Sequence, residues 1–135
     1  MLYKSDLISE WGADTKKRQH LEDDLQENIC TMLKWGLPAD GTFWAVPNGG
    51  LRHKLESARM TRTGTRSGVP DLHIVYRGRL YCLELKSPTG QLSATQAQMI
   101  HKLADCGVPT AIIRKPEELE QVLREWNIPF SVRLT

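Results

Sequence analysis

The chain has 135 residues, 40% of them hydrophobic and 25% charged, with a formal net charge of +2. That composition supports one buried core and argues against global disorder. The apolar runs are too short to cross a bilayer, and Met1–Leu2–Tyr3, followed by Lys4, Asp6 and Glu10, lacks the apolar stretch of a signal peptide, so a cytosolic compartment is expected.

Residues 1–18 show no clean periodicity and read as a tail or an extra short helix, leaving a domain over residues 20–135. From His20 to Trp35 the apolar set Leu21, Leu25, Ile29, Met32 and Leu33 has helical spacing, and Gly36 and Pro38 end the helix. Thr42–Val46 is a short strand, and Pro47–Asn48–Gly49–Gly50 is a turn signal. Leu51 to about Met60 predicts a basic helix with Leu51, Leu55 and Ala58 facing inward, followed by a loop over Thr61–Gly68. Asp71–Tyr76 and Arg79–Leu85 predict two strands joined by Arg77–Gly78. Alternation puts Asp71, His73 and Val75 on one face of the first strand. Leu80, Cys82, Glu84 and Lys86 share a face of the second, which is apolar on both sides and so expected to be central. Ser93 caps a helix from Ala94 to about Ala104, with Met99, Ile100 and Leu103 inward and Gly107 as its stop. Thr110–Ile113 reads as a short buried strand, Pro116–Glu117–Glu118 opens a last helix running to about Trp126, and residues 128–134 read as an edge strand. This order predicts an α/β layered domain.

Three cysteines (Cys30, Cys82, Cys106) without a CxxC pair fit reduced, buried thiols. The four histidines lack zinc-ligand spacing. Charge is distributed unevenly. Residues 1–30 hold seven acids against four bases, whereas residues 51–68 hold Arg52, Lys54, Arg59, Arg62 and Arg66 against Glu56 alone. A basic segment beside an acidic cluster suits a site where phosphate and a cation meet, although an ordinary solvated basic helix has the same composition.

The chemistry concentrates in Pro70–Asp71 and Glu84–Leu85–Lys86. Two carboxylates from adjacent strands, with the Leu85 main-chain carbonyl, form an oxygen donor set for Mg²⁺, and Lys86 projects to the same side as Glu84. Phosphodiester hydrolysis needs such a cation to orient and activate a water, and Lys86 is expected to position that water or stabilise the pentavalent phosphorus. Glu22 and Gln26, four apart on one helical face, can each supply a further polar group.

These residues resemble the signature of the PD-(D/E)XK nuclease superfamily. With Glu22 to Gln26, Val46–Pro47–Asn48–Gly49–Gly50, Gly68–Val69–Pro70–Asp71–Leu72 and Leu92–Ser93–Ala94–Thr95–Gln96, they are similar, from about His20 to Trp126, to the virus-type replication-repair nuclease (VRR-NUC) family. The resemblance implies a restriction-endonuclease-like αβββαβ core, a central mixed sheet flanked by helices. It implies a Mg²⁺- or Mn²⁺-dependent nuclease acting on branched or flapped DNA, such as Holliday junctions, as a homodimer with no membrane partner. Asp71, Glu84 and Lys86 match the motif directly; either Glu22 or Gln26 holds the first-helix position. Gln96 matches a glutamine expected to orient Lys86 or a phosphate. Arg52, Lys54, Arg59, Arg62, Arg66 and Asn48 are the expected DNA contacts. His73, two residues beyond Asp71, reads as a core or surface histidine. A catalytically inactive DNA-binding module and a less selective nicking or trimming nuclease are the competing readings. Trp11, Trp35, Trp126, Phe130 and Val132 either cap the monomer core or form a dimer contact.

Overall fold

The structure is a computed structural model that describes residues 4–47 and 54–131, with side chains over 16–47 and 58–131. Its elements are α1 (Lys4–Gly36), β1 (Gly41–Ala45), α2 (Lys54–Arg62), β2 (Leu72–Tyr76), β3 (Arg79–Leu85), α3 (Ala94–Asp105), β4 (Thr110–Ile113) and α4 (Glu118–Glu125). The four strands form one sheet in the order β1-β2-β3-β4. β1 and β3 both pair antiparallel to β2. The amide of Cys82 donates to Pro109 O, and four residues further along both strands the amide of Lys86 donates to Ile113 O, which makes β4 parallel to β3. The sheet is therefore mixed and flanked by helices, an α/β core in which α2 falls between β1 and β2 in chain order.

The chain divides into two compact units. The first comprises residues 1–37, 85–90 and 113–135. Its core is helical: Leu25, Ile29 and Leu33 recur at four-residue steps along α1, and Leu119 and Leu123 repeat the step on α4, all buried. α4 is capped by Trp126, and Asn127 just beyond it has a φ of 59° that lets the amide of buried Ile128 return to Leu123 O. Phe130 packs on Gly36 so closely that a Cβ there would force a shift, and the amide of Ser131 donates to Gly36 O.

The second unit comprises residues 38–84 and 91–112. β2 alternates as expected: Leu72, Ile74 and Tyr76 are buried, His73 and Val75 half-buried. β3 is buried from Tyr81 onward, which fits its internal position in the sheet. Arg77 and Gly78 both have positive φ, 48° and 75°, the signature of a type I′ two-residue hairpin. Arg77 also donates to Asp40 Oδ2 at 3.3 Å and lies over the Tyr76 ring. α3 begins with the expected cap: Gln96 N donates to Ser93 Oγ while Gln96 Oε1 accepts from Ser93 N.

Several expectations are corrected. The first helix starts at Lys4 rather than His20, because the stretch before His20 is rich in good helix formers such as Lys16, Lys17, Arg18 and Gln19 although it does not continue the apolar stripe. α2 extends to Arg62, into the expected loop, and Ala58 on it is exposed, not inward. β4 is only partly buried, with Ile112 39% exposed, since it lies at the sheet edge. Residues 128–131 form no strand. Of the thiols only Cys82 is buried; Cys30 is half-buried and Cys106 exposed. Burial pushes the Cys82 thiol up to about 11, with Thr110 working against it. The Asn48–Gly50 turn, Leu51, Arg52 and Val132 lie outside the described residues, as do the side chains of Trp11, Lys54 and Leu55. Among the described residues no helix is long and apolar enough to cross a membrane.

His73 gives the sheet a measurable proton linkage. It faces Trp44 across the β1–β2 ladder, ring centroids 5.8 Å apart edge to face, and its Nε2 is buried with no hydrogen-bond partner among the described residues. Desolvation lowers its pKa below the usual 6.5, partly offset by a hydrogen bond to the Pro70 backbone. The neutral imidazole is thus favoured on folding. Its contribution to stability is complete above pH 6.5 and is lost as pH falls through the lowered folded-state value. Thermal melts across that window are expected to show a falling Tm in the wild type and a flatter profile in His73→Phe; equal slopes would show that His73 carries none of the linkage.

Candidate active site

In the second unit the site is a matter of register. Leu72 pairs with Leu83 and His73 with Cys82, so one further step sets Asp71 opposite Glu84. The amide of Val46 donates to Asp71 O at 2.8 Å, which carries the β1–β2 ladder to the same level. Directly opposed residues of an antiparallel pair leave the sheet on the same face, with Cβ atoms about 5 Å apart. The β2–β3 hairpin thus delivers the two carboxylates as a facing pair.

Their environments differ. Asp71 is half-buried, whereas Glu84 is 1% exposed. A buried carboxylate is costly unless its oxygens are engaged, by several kcal/mol in order of magnitude. Glu84 Oε1 accepts a hydrogen bond from Gln96 Nε2 at 3.1 Å. The Gln96 amide is therefore divided: its oxygen closes the capping box on Ser93 and its nitrogen holds Glu84. The structure thus gives Gln96 a carboxylate partner that the sequence did not indicate.

Gly68 explains the Gly-Val-Pro-Asp run. Its φ is +80°, and a Cβ there would lie 2.7 Å from Thr95 O, a main-chain atom that cannot swing aside. The segment leading to Asp71 therefore passes directly over the first turn of α3, one residue from Gln96.

In the first unit, Leu85 and Lys86 continue the strand and are buried, and the Lys86 amide bonds Ile113 O. Ser87–Gly90 then forms a turn closed by the Gly90 amide on Ser87 O. Two groups fix it. Glu22 Oε1 accepts from the Ser87 amide at 3.3 Å, and Arg114 Nη1 donates to both Ser87 O and Gly90 O at 2.7 Å. Glu118 Oε1 in turn accepts from the amides of Arg114 and Lys115. Of the two first-helix positions, Glu22 meets this turn; Gln26 is half-buried on the same helical face. Sequence reasoning had no signal for Arg114, because a basic residue between a strand and a helix looks like surface.

Of the expected DNA contacts within the described side chains, Arg59, Arg62 and Arg66 are all exposed, the first two three residues apart on α2. Among the described residues no group of three or more His, Cys, Asp or Glu side chains is placed to hold a metal. Asp71 and Glu84 offer oxygen donors, the type a hard cation prefers.

Residues 13–115 match the family described as the VRR-NUC domain, well over half of the chain. The chain belongs to the VRR-NUC family. The match begins within α1, before His20, and ends just before α4. A solved structure described as a VRR_NUC domain protein is similar with a TM-score of 0.64 at 20% identity, covering 78% of this chain and 86% of the other. A second, described as a VRR_NUC domain, gives a TM-score of 0.57 at 15% identity over 78% of this chain and 97% of the other. At these identities the likeness establishes the fold. No curated protein sequence matches the chain.

The hold on Glu84 is testable. Gln96→Ala removes both a reciprocal cap and the carboxylate's donor, with an expected loss of about 1–3 kcal/mol in chemical denaturation. Gln96→Glu keeps the cap acceptor but sets a second carboxylate against Glu84. The pair is tolerated best when one of the two holds a proton, so the variant's deficit relative to wild type should shrink as pH is lowered. A deficit independent of pH would show that Gln96 does not face Glu84.

Proposed function

We propose that this VRR-NUC domain is a metal-dependent DNA endonuclease that hydrolyses phosphodiester bonds in branched or flapped DNA. The observation carrying the reading is the facing carboxylate pair, one member buried and braced by Gln96. A module that only bound DNA would gain nothing from keeping Glu84 under the sheet at that cost.

Asp71 and Glu84, with the Leu85 carbonyl, would hold Mg²⁺ or Mn²⁺. Such an ion, when bound, lowers the pKa of water and neutralises charge on the scissile phosphate. Gln96 fixes the rotamer of Glu84 so that its carboxylate needs no reorganisation as substrate binds. Lys86 follows Glu84 by two residues in extended backbone; its ammonium would position the attacking water or stabilise the phosphorane-like charge. Glu22 holds the Ser87 amide, which restrains the residue next to Lys86. Arg59, Arg62 and Arg66 would contact phosphates, which position the substrate without reading its sequence.

The working unit in this reading is a symmetric homodimer, which places two sites on opposite strands of a four-way junction. Trp35, 78% exposed near the end of α1, supports it. Trp126 and Phe130 are half-buried, and Phe130 is spent on Gly36 within one chain.

Cleavage of labelled duplex, single strand, 5′ flap, splayed arm and four-way junction, with Mg²⁺ and with EDTA, tests the catalytic reading. Asp71→Ala, Glu84→Ala and Lys86→Ala should each lower cleavage by roughly 10³-fold or more while the protein stays folded. Full activity of folded Asp71→Ala, or undiminished cleavage in EDTA, would refute the assignment. Light scattering should give a mass near twice 15.3 kDa. A monomeric mass accompanied by paired symmetric nicks would remove the dimer.

A further inference from the structure

A second feature of the first unit is unused by this reading. A groove of about 500 Å³ is lined, among the described residues, by Lys17, Arg18, Leu21, Pro88 and Thr89. One wall is a face of α1, where Lys17 and Leu21 stand one turn apart, as do Arg18 and Glu22. The other wall is the turn that begins one residue after Lys86. Glu22 accepting the Ser87 amide fastens the two walls together, and the two Arg114 bonds hold the turn in shape. Gly90 lets them approach: a Cβ there would lie 3.0 Å from Ser87 Oγ and 3.3 Å from Glu22 Oε1. The groove is therefore preformed.

Its lining is mixed in a specific way. Lys17 and Arg18 are both exposed and supply two adjacent cations. Leu21 is 42% exposed, a large apolar side chain left in water, and exposed Pro88 adds apolar surface. Thr89 adds a hydroxyl. Cations beside a small apolar surface suit a ligand that is anionic along one edge and flat and apolar on another, which describes nucleotides of a single strand. A free anion would leave Leu21 and Pro88 without a purpose, and an apolar ligand would leave the two charges.

We propose that this groove is a strand-binding subsite that takes unpaired DNA, with phosphates on Lys17 and Arg18 and a sugar or base against Leu21 and Pro88. It rests on the nuclease reading for its substrate. It adds a surface on α1 to the basic α2 segment, in a stretch of sequence whose acids outnumber its bases. A subsite of this kind that takes unpaired strand would favour substrates with a single-stranded arm.

The test uses the full chain with a short fluorescein-labelled single-stranded DNA, read by anisotropy over a salt series, together with cleavage of a 5′ flap. Lys17→Ala/Arg18→Ala should weaken binding about tenfold at moderate salt. It should reduce the slope of log K against log salt by about 1.4, roughly 0.7 per lost contact on a single strand. KM for the flap should rise while kcat at saturating DNA is unchanged. Leu21→Asp should weaken binding comparably, and Lys17→Arg/Arg18→Lys should keep wild-type affinity. Lys34→Ala/Lys102→Ala removes two exposed charges elsewhere and should leave affinity and slope as in wild type.

Wild-type affinity and slope in Lys17→Ala/Arg18→Ala, in a protein that cleaves, would overturn the groove and leave the nuclease intact. An equal loss in Lys34→Ala/Lys102→Ala would overturn it too, by showing a general charge effect. A wild type that binds single strands through Lys17 and Arg18 but never cleaves would uphold the groove and overturn the nuclease reading. Absence of DNA binding would overturn both.

Discussion

Burial of Glu84 is the constraint around which the sheet unit is arranged. A carboxylate at 1% exposure needs hydrogen-bond donors, and the fold supplies one through a side chain that is itself held. Gln96 can serve because Ser93 starts α3 with a reciprocal cap, which fixes the Gln96 rotamer. α3 can stand where it does because Gly68 lets the incoming chain pass over Thr95. Each of these devices is local, and each narrows the freedom of the next. A polar group buried in this way is a poor source of stability and a good source of uniqueness, since few alternative packings would satisfy it.

The helical unit solves a different problem with similar economy. Its apolar residues at four-residue steps would pack in many rotational settings; polar contacts choose among them. Arg114 spans Ser87 O and Gly90 O with one nitrogen, and Glu118 caps the backbone that carries Arg114. Arginine suits this better than lysine, because its planar fork loses less freedom per bond formed. The turn after Lys86 is thereby held by polar contacts from both α1 and the segment before α4.

How much of this was legible in the sequence depends on the range of the interaction. The Asp71–Glu84 pair was, because alternation along two strands and a two-residue turn leave little choice of register. The α3 cap was legible for the same reason: Ser93 and Gln96 are three apart. The donor from Gln96 to Glu84 was not, since helix periodicity says nothing about which strand residue lies beneath. Arg114 and the Lys17–Arg18 groove were invisible for a further reason. Both depend on residues far apart in the chain meeting one short turn, and the acids of α1 hide the two cations in any local charge count. The start of α1 was missed because its apolar residues Leu7, Ile8 and Trp11 are followed by Gly12 and a charged run that breaks the pattern before Leu21.

The type I′ hairpin has a consequence for how such a domain can vary. Because the carboxylate pair is fixed by contiguous chain, Asp71 through Glu84, the connection between β1 and β2 can lengthen, shorten or acquire a helix such as α2 without disturbing it. Variation is absorbed outside the hairpin. Inside it the tolerance is small: one residue added between Tyr76 and Arg79 must be absorbed as a bulge, or it slides β3 by one position and turns Glu84 to the opposite side of the sheet, away from both Asp71 and Gln96. Insertions are therefore expected to act by location, accommodated in the long connection and disruptive in the short one.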